Sequence, residues 1–134
     1  MKKPIIAFDV DHTLDISDGP IPIQSLRLLH ENGYPIGICG NWAKLVSCCP
    51  DWFQFISFIG PMEMTKAAFL TLIRTYIPGH SNYIMVGNDP EFYGDSADRE
   101  AADLANWQFI RERDFHKFPN LEADFSGYDS QEIS

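Results

Sequence analysis

The sequence predicts a single α/β domain in which about five parallel strands form a doubly wound, Rossmann-like sheet with helices on both faces. The length of 134 residues fits one domain. A hydrophobic fraction of 45%, with ten phenylalanines, five tyrosines and three tryptophans, can fill a core. Short apolar runs alternate with segments of helical periodicity, a pattern typical of βαβ units and a parallel sheet.

The first half of the chain predicts three strands and two helices. Residues 4–8 (PIIAF) form a short, continuous apolar run and predict the first strand. Residues 23–32 carry apolar side chains at helical spacing, and the following Asn-Gly pair predicts where this helix ends. Residues 35–39 (PIGIC) predict the second strand, and Asn41 is the expected N-cap of a short helix that ends before a proline. Residues 55–59 (FISFI) predict the third strand.

The second half continues the alternation. Thr65 is the expected N-cap of a helix over 66–77, which a Pro-Gly pair ends. Residues 83–86 (YIMV) predict the fourth strand, and Ser96 can cap an alanine-rich helix over 97–105.

Residues 107–110 (WQFI) predict the fifth strand, so we expect the globular core to span residues 1–112. Residues 113–134 are acidic and are interrupted by proline and glycine. They predict a C-terminal extension on the surface of the domain.

The net charge and the cysteines indicate which binding partners and which cellular compartment to expect. A formal net charge of −9 argues against non-specific binding to nucleic acid or to an anionic membrane surface. No apolar run is long enough for a membrane span. The three cysteines are odd in number, two are adjacent, and no CxxC motif is present. Reduced thiols and a cytoplasmic location are therefore expected.

Unusual residues follow the predicted strands, where ligands bind in open parallel sheets. Asp9 and Asp11 follow the first strand, and Gly40 and Asn41 follow the second. The two carboxylates point to the same side of an extended chain, roughly 6–7 Å apart. Their mutual repulsion requires a proton, a cation or a basic side chain nearby. Lys66, which begins the helix after the third strand, adds one lysine at the same edge of the sheet.

These stretches resemble the motifs of the haloacid dehalogenase superfamily of phosphohydrolases. "FDVDHT" (8–13) is similar to its first motif, and "VGND" (86–89) with a later aspartate resembles its fourth. "DREAADLANW" (98–107) resembles the helix after the fourth motif, and Lys66 falls where the third is expected. The resemblance spans about residues 4–110.

The resemblance implies a Mg²⁺-dependent phosphatase. Asp9 would be the nucleophile that forms an aspartyl phosphate, and Asp11 the general acid and base. Lys66 would hold the phosphoryl charge. Mg²⁺ would be bound by Asp9, by the backbone carbonyl of Asp11 and by the Asn88–Asp89 pair. The substrate would be a phosphorylated small molecule or a phosphoprotein.

The sequence departs from the family pattern at the second motif. The position that normally holds a serine or threonine falls on Gly40 or Cys39, and neither supplies a hydroxyl. The backbone amides of Gly40 and Asn41 would then bind the phosphate.

The fourth motif is stretched, so that Asp89, Asp95 and Asp98 all remain candidates to complete the metal site. The intervals between motifs leave no room for a cap domain, which implies a capless member with an open site. These departures keep a second hypothesis open, a catalytically weak or inactive module of the same fold that binds phosphate or a partner. A receiver-like domain is disfavoured because no acidic residue ends the third predicted strand.

Overall fold

The described part of the chain contains one five-stranded parallel sheet. The computed structural model describes residues 3–88 and 98–115. The strands are Ile5–Phe8 (β1), Ile36–Cys39 (β2), Phe58–Gly60 (β3), Tyr83–Gly87 (β4) and Gln108–Arg111 (β5). Their order is β3-β2-β1-β4-β5, and every neighbouring pair is parallel. The predicted fold class is therefore confirmed.

Five α-helices accompany these strands in the described residues: Ile23–Glu31 (α1), Trp42–Cys48 (α2), Lys66–Tyr76 (α3), Asp98–Leu104 (α4) and Glu112–Phe115 (α5). Short 3-10 helices cover Asp15–Ser17 and Trp52–Gln54. Side chains alternate along β1, so Ile6 and Phe8 enter the core beneath α1 and α2, whereas Ile5 and Ala7 enter the core beneath α3 and α4. The sheet is thus covered on both faces.

The two helix N-caps that lie in the described residues are confirmed. The Asn41 side chain accepts a hydrogen bond from the Lys44 amide at 3.3 Å, and the Thr65 hydroxyl accepts one from the Ala68 amide at 3.1 Å. Each satisfies a donor of the first helical turn that would otherwise lack a partner. The third expected cap, Ser96, lies outside the described residues.

The predicted third strand is correct only at its end. The sequence predicts a strand over 55–59, but β3 begins at Phe58. The amides of Phe55 and Ile56 instead donate to the carbonyl of Trp52, which continues the preceding 3-10 turn. Both side chains are buried in the core. Their apolar character therefore reflects packing and not strand pairing.

The described core continues past the expected boundary at residue 112. The Phe115 side chain is buried, and its ring meets the Phe8 ring edge to face with centroids 5.3 Å apart. Helix α5 thus packs on the same sheet face as α1 and α2. Residues 116–134 of the expected extension lie outside the described residues.

The strand order creates a crevice between β1 and β4. The chain adds β2 and then β3 on one side of β1. After α3 it returns to form β4 on the other side of β1. Parallel sheets bind ligands at such a switch point, beyond the carboxyl ends of the strands. Asp9 directly follows β1 and Asn88 directly follows β4. Among the described residues, no helix is long and apolar enough to cross a membrane.

Candidate active site

Asp9 lies at the centre of the crevice. Its backbone amide donates to the Val86 carbonyl at 2.9 Å, which extends the pairing of β1 with β4 by one residue. The side chain is buried, and each carboxylate oxygen has a different partner. Oδ1 accepts a hydrogen bond from Lys66 Nζ at 3.2 Å, and Oδ2 accepts one from Asn88 Nδ2 at 3.0 Å. The carboxylate is therefore fixed in one orientation.

The surroundings of Asp9 disfavour its charged form. Burial is the largest cause, and the nearby carboxylate of Asp98 adds to it, while the Lys66 ammonium opposes both. Together they raise the pKa of Asp9 to about 7. A bound cation would favour the ionised form.

Lys66 provides the positive charge beside Asp9. It is the first residue of α3, and its ammonium contacts Asp9 and also Asp98 Oδ1, the latter at 2.6 Å. Burial lowers the pKa of Lys66, but the two carboxylates outweigh burial and hold this pKa above its usual value. A lysine at a helix N-terminus is otherwise disfavoured by the helix dipole. The two carboxylates explain its presence there.

Asp98 is the acidic residue that the structure places beside Lys66. It is the first residue of α4, it is fully buried, and its Oδ2 accepts a hydrogen bond from the Asn88 amide at 2.9 Å. A Cβ at Gly87 would overlap the Asp98 carboxylate, so glycine is needed there. The helix register in the sequence was the signal for Asp98. Asp89 and Asp95, the other two candidates, lie outside the described residues.

Asp11 differs from Asp9 in its exposure, in its hydrogen-bond partners and in the direction of its pKa change. Its side chain is exposed, and it accepts hydrogen bonds from Ser17 Oγ at 2.7 Å and from Asn41 Nδ2 at 3.1 and 3.4 Å. The Ser17 hydrogen bond is the largest cause that lowers the pKa of Asp11, and the Asn41 bond acts in the same direction. Ser17 was not expected from the sequence, since it lies in the loop that separates β1 from α1.

Asn88 links the two aspartates. Its Nδ2 donates to Asp9 Oδ2 and to the backbone carbonyl of Asp11 at 2.8 Å, and its Oδ1 accepts from the Thr13 hydroxyl at 3.2 Å. The Asn88 amide group therefore contacts the Asp9 carboxylate and the Asp11 carbonyl, the two groups that the resemblance assigns to Mg²⁺. Rotation of the Asn88 amide would present its own oxygen at the same point.

These oxygens fit a hard cation such as Mg²⁺, which binds carboxylate and carbonyl oxygens and keeps several waters. In the described residues, no three His, Cys, Asp or Glu side chains are grouped as a metal site. The oxygens of Asp9, Asp11 and Asn88 include a backbone carbonyl and an amide, which are not among those side chains. Asp89, expected as a further ligand, lies outside the described part.

Residues 39–41 stand where the family's second motif is expected, but they offer no hydroxyl group to a phosphate. The Gly40 amide donates to the Gly60 carbonyl at 2.9 Å and so belongs to the sheet. A Cβ at Gly40 would overlap Asp9 Oδ1, so glycine makes room for the carboxylate. The Asn41 side chain turns toward Asp11. Burial raises the pKa of the Cys39 thiol to about 12, which leaves it neutral.

No family model, curated protein or solved structure matches this chain. The fold and the site define an α/β domain with a buried carboxylate, a lysine and an exposed carboxylate at the switch point of a parallel sheet. The function is therefore inferred from the geometry of this site and from the motifs.

Proposed function

We propose that this protein is a Mg²⁺-dependent phosphatase that hydrolyses phosphate monoesters through an aspartyl phosphate on Asp9. The observation that supports this most strongly is the arrangement of side chains around the Asp9 carboxylate. Lys66 holds one carboxylate oxygen, Asn88 holds the other, and an exposed carboxylate follows two residues later. The resemblance of the motifs to haloacid dehalogenase phosphohydrolases supports the same reaction.

In the first step, a carboxylate oxygen of Asp9 attacks the phosphorus atom, and the bond from phosphorus to the leaving oxygen breaks. Protonated Asp11 gives its proton to that oxygen, so an alcohol departs. Lys66 remains beside Asp9 and offsets negative charge on the transferred group.

In the second step, water attacks the phosphorus atom of the aspartyl phosphate. Asp11, now a carboxylate, takes a proton from this water, and the bond from phosphorus to Asp9 breaks. Inorganic phosphate leaves, and the Asp9 carboxylate is restored. The hydrogen bonds that lower the pKa of Asp11 favour the carboxylate needed in this step.

Asp9, the Asp11 carbonyl and Asn88 would hold the Mg²⁺, together with Asp89 as the resemblance implies. When bound, the cation would supply positive charge that offsets the charges of the carboxylate and of the phosphoryl group. The net charge of −9 makes this local compensation necessary for an anionic substrate.

A second candidate is a binding module of the same fold that does not turn over its ligand. The specific observation in its favour is the second motif. The Gly40 amide is engaged with Gly60, and Cys39 offers only a buried thiol. A phosphoryl group would thus receive fewer donors than the family pattern supplies.

Hydrolysis of 4-nitrophenyl phosphate with Mg²⁺ distinguishes the two candidates. We expect the wild type to turn over and Asp9→Asn to lose activity at least about a thousandfold, since an amide cannot form the intermediate. Acid quenching should trap a phosphoenzyme in the wild type alone. Asp103→Asn, an exposed position on α4, is the matched control and should keep full activity.

Absence of turnover over a broad panel of phosphate esters, in folded wild-type protein, would overturn the phosphatase proposal. Binding of inorganic phosphate under the same conditions would then favour the binding module. Turnover that survives in Asp9→Asn would overturn the assignment of the nucleophile.

A further inference from the structure

The exposed carboxylate of Asp11 is held by side chains from two separate loops. Ser17, from the 3-10 turn after β1, donates to Oδ1 at 2.7 Å. Asn41, at the corner between β2 and α2, donates from Nδ2 to Oδ1 and Oδ2 at 3.1 and 3.4 Å. Most exposed carboxylates rotate in solvent. This one is restrained from two directions.

The Ser17 donor is itself fixed by backbone hydrogen bonds. Its carbonyl accepts from the His12 amide at 2.8 Å, and its amide donates to the Leu14 carbonyl at 2.9 Å. His12 adopts a φ of 59°, in the left-handed region that non-glycine residues seldom occupy. The chain thus accepts local strain in the turn that carries Ser17 back to Asp11.

The Asn41 donor is fixed by the helix cap. Its Oδ1 accepts from the Lys44 amide, and this bond sets the direction in which Nδ2 points. The same amide therefore caps α2 and donates to Asp11. A serine at this position could keep the cap, but its short side chain would lose the second bond.

We infer that Asn41 and Ser17 are positioning residues that fix the Asp11 carboxylate for proton transfer to and from substrate oxygens, and that Asn41 does not serve as a phosphate ligand. This inference rests on the proposed phosphatase activity. Proton transfer requires hydrogen-bond reach between the carboxyl group and the oxygen concerned, so a freely rotating Asp11 would transfer protons less efficiently.

The role predicts a dependence on the leaving group. An alkoxide is a strong base and needs a proton as it departs, whereas 4-nitrophenolate departs readily without one. Loss of positioning should therefore slow alkyl esters more than 4-nitrophenyl esters. A purely structural defect or a lost phosphate contact would slow both esters alike.

The test compares kcat/KM for butyl phosphate and 4-nitrophenyl phosphate in Asn41→Ser and in Ser17→Ala. We expect kcat/KM for the alkyl ester to fall at least about tenfold in each variant. The value for the aryl ester should change less than about threefold. Asn32→Ser and Ser47→Ala are the matched controls, because both side chains are exposed and each donates to a nearby backbone carbonyl of its own helix. Both controls should leave the ratio of the two esters unchanged.

Equal losses on the two esters would overturn the positioning role. A weaker inhibition by inorganic phosphate in Asn41→Ser would then assign Asn41 to phosphate binding. If wild-type protein neither turns over any ester nor forms a phosphoenzyme, the proposed function fails and this role fails with it. The two failures are thus distinguished by the behaviour of the wild type. The variants act through different loops, so misfolding of one, seen by thermal unfolding, leaves the other to decide.

Discussion

Two aspartates separated by one residue have opposite electrostatic environments. Asp9 is buried beside Asp98, and burial first of all raises its pKa. Asp11 is exposed, and the Ser17 and Asn41 hydrogen bonds lower its pKa. This split is opposite to what the first step needs, because the attacking Asp9 must be ionised and the proton-donating Asp11 must be protonated. A cation bound at Asp9 would lower the pKa of Asp9 and so restore its ionised form.

The first prediction concerns the pH dependence of stability. The pKa of folded Asp9 is about 7, above its usual value of 3.8, so the folded state binds an additional proton between these values. The stability associated with this proton is fully present below about pH 3.8 and is lost as pH rises through 7. Asparagine does not titrate. We therefore expect Asp9→Asn to gain stability relative to the wild type as pH rises from about 5 to about 8.

Thermal unfolding in EDTA at several pH values measures this difference in Tm. Asp103→Asn controls for the general effect of removing an aspartate. A difference between Asp9→Asn and the wild type that stays constant or shrinks with rising pH would contradict the raised pKa.

Asn88 gives the second prediction. Asn88→Asp would replace the amide donor with an anionic oxygen beside Asp9 Oδ2 and the Asp11 carbonyl. We expect Mg²⁺ to bind at least about tenfold more tightly, because ligand charge strengthens binding of hard cations. In EDTA the variant should have a lower Tm than the wild type, since the new carboxylate is buried near another.

Isothermal titration calorimetry with Mg²⁺ measures the affinity without reference to activity. Asn32→Asp, at the exposed end of α1, is the control. Unchanged affinity in Asn88→Asp would show that position 88 does not face the cation.

At the scale of elements, Lys66 connects the beginning of α3 to the end of β1 and to the beginning of α4 through two ion pairs. Its ammonium contacts Asp9 and Asp98, which are far from it in sequence. The two helices also pack against each other on one face of the sheet. The ion pairs therefore contribute to the docking of α4 as well as to the site.

The third prediction is a double-mutant cycle on this contact. Lys66→Met should destabilise the fold by about 3 kcal/mol, because two buried carboxylates lose their cation. Combining it with Asp98→Asn removes one of those carboxylates. The double variant should thus be more stable than the sum of the single effects predicts, with a coupling of about 1–3 kcal/mol.

Urea unfolding of the four proteins in EDTA gives the coupling energy. The half-buried pair Arg111–Asp114 supplies a control cycle, for which the coupling should stay below about 1 kcal/mol. Additive effects at Lys66 and Asp98 would contradict the proposed dependence of one on the other.

At the scale of the whole molecule, the core occupies both faces of the sheet and includes a residue beyond the last strand. Phe115 packs against Phe8 on the sheet face that α1 and α2 also cover. The described fold is thus closed by a short helix that the sequence does not predict, because four residues are too few to show helical periodicity.

The fourth prediction tests this closure. Phe115→Ala should lower the free energy of unfolding by about 3–5 kcal/mol, as expected for a buried aromatic side chain. Phe53→Ala removes an equally large side chain that is 65% exposed, and it should change stability by less than about 1 kcal/mol. Equal effects in urea unfolding would show that Phe115 does not belong to the core.

The sequence alone determined the strands and helices apart from the start of β3 and the whole of α5, and it also determined the edge of the sheet where Asp9 and Asn88 meet. Periodicity, caps and turn residues are local signals, and the C-terminal edge of a parallel sheet follows from them. Only the tertiary structure decided which side chains become partners. Lys66 is 57 residues from Asp9 and 32 from Asp98, and Asn41 is 30 from Asp11. These contacts depend on strand order and on the register of packed helices, and no local pattern encodes either of them.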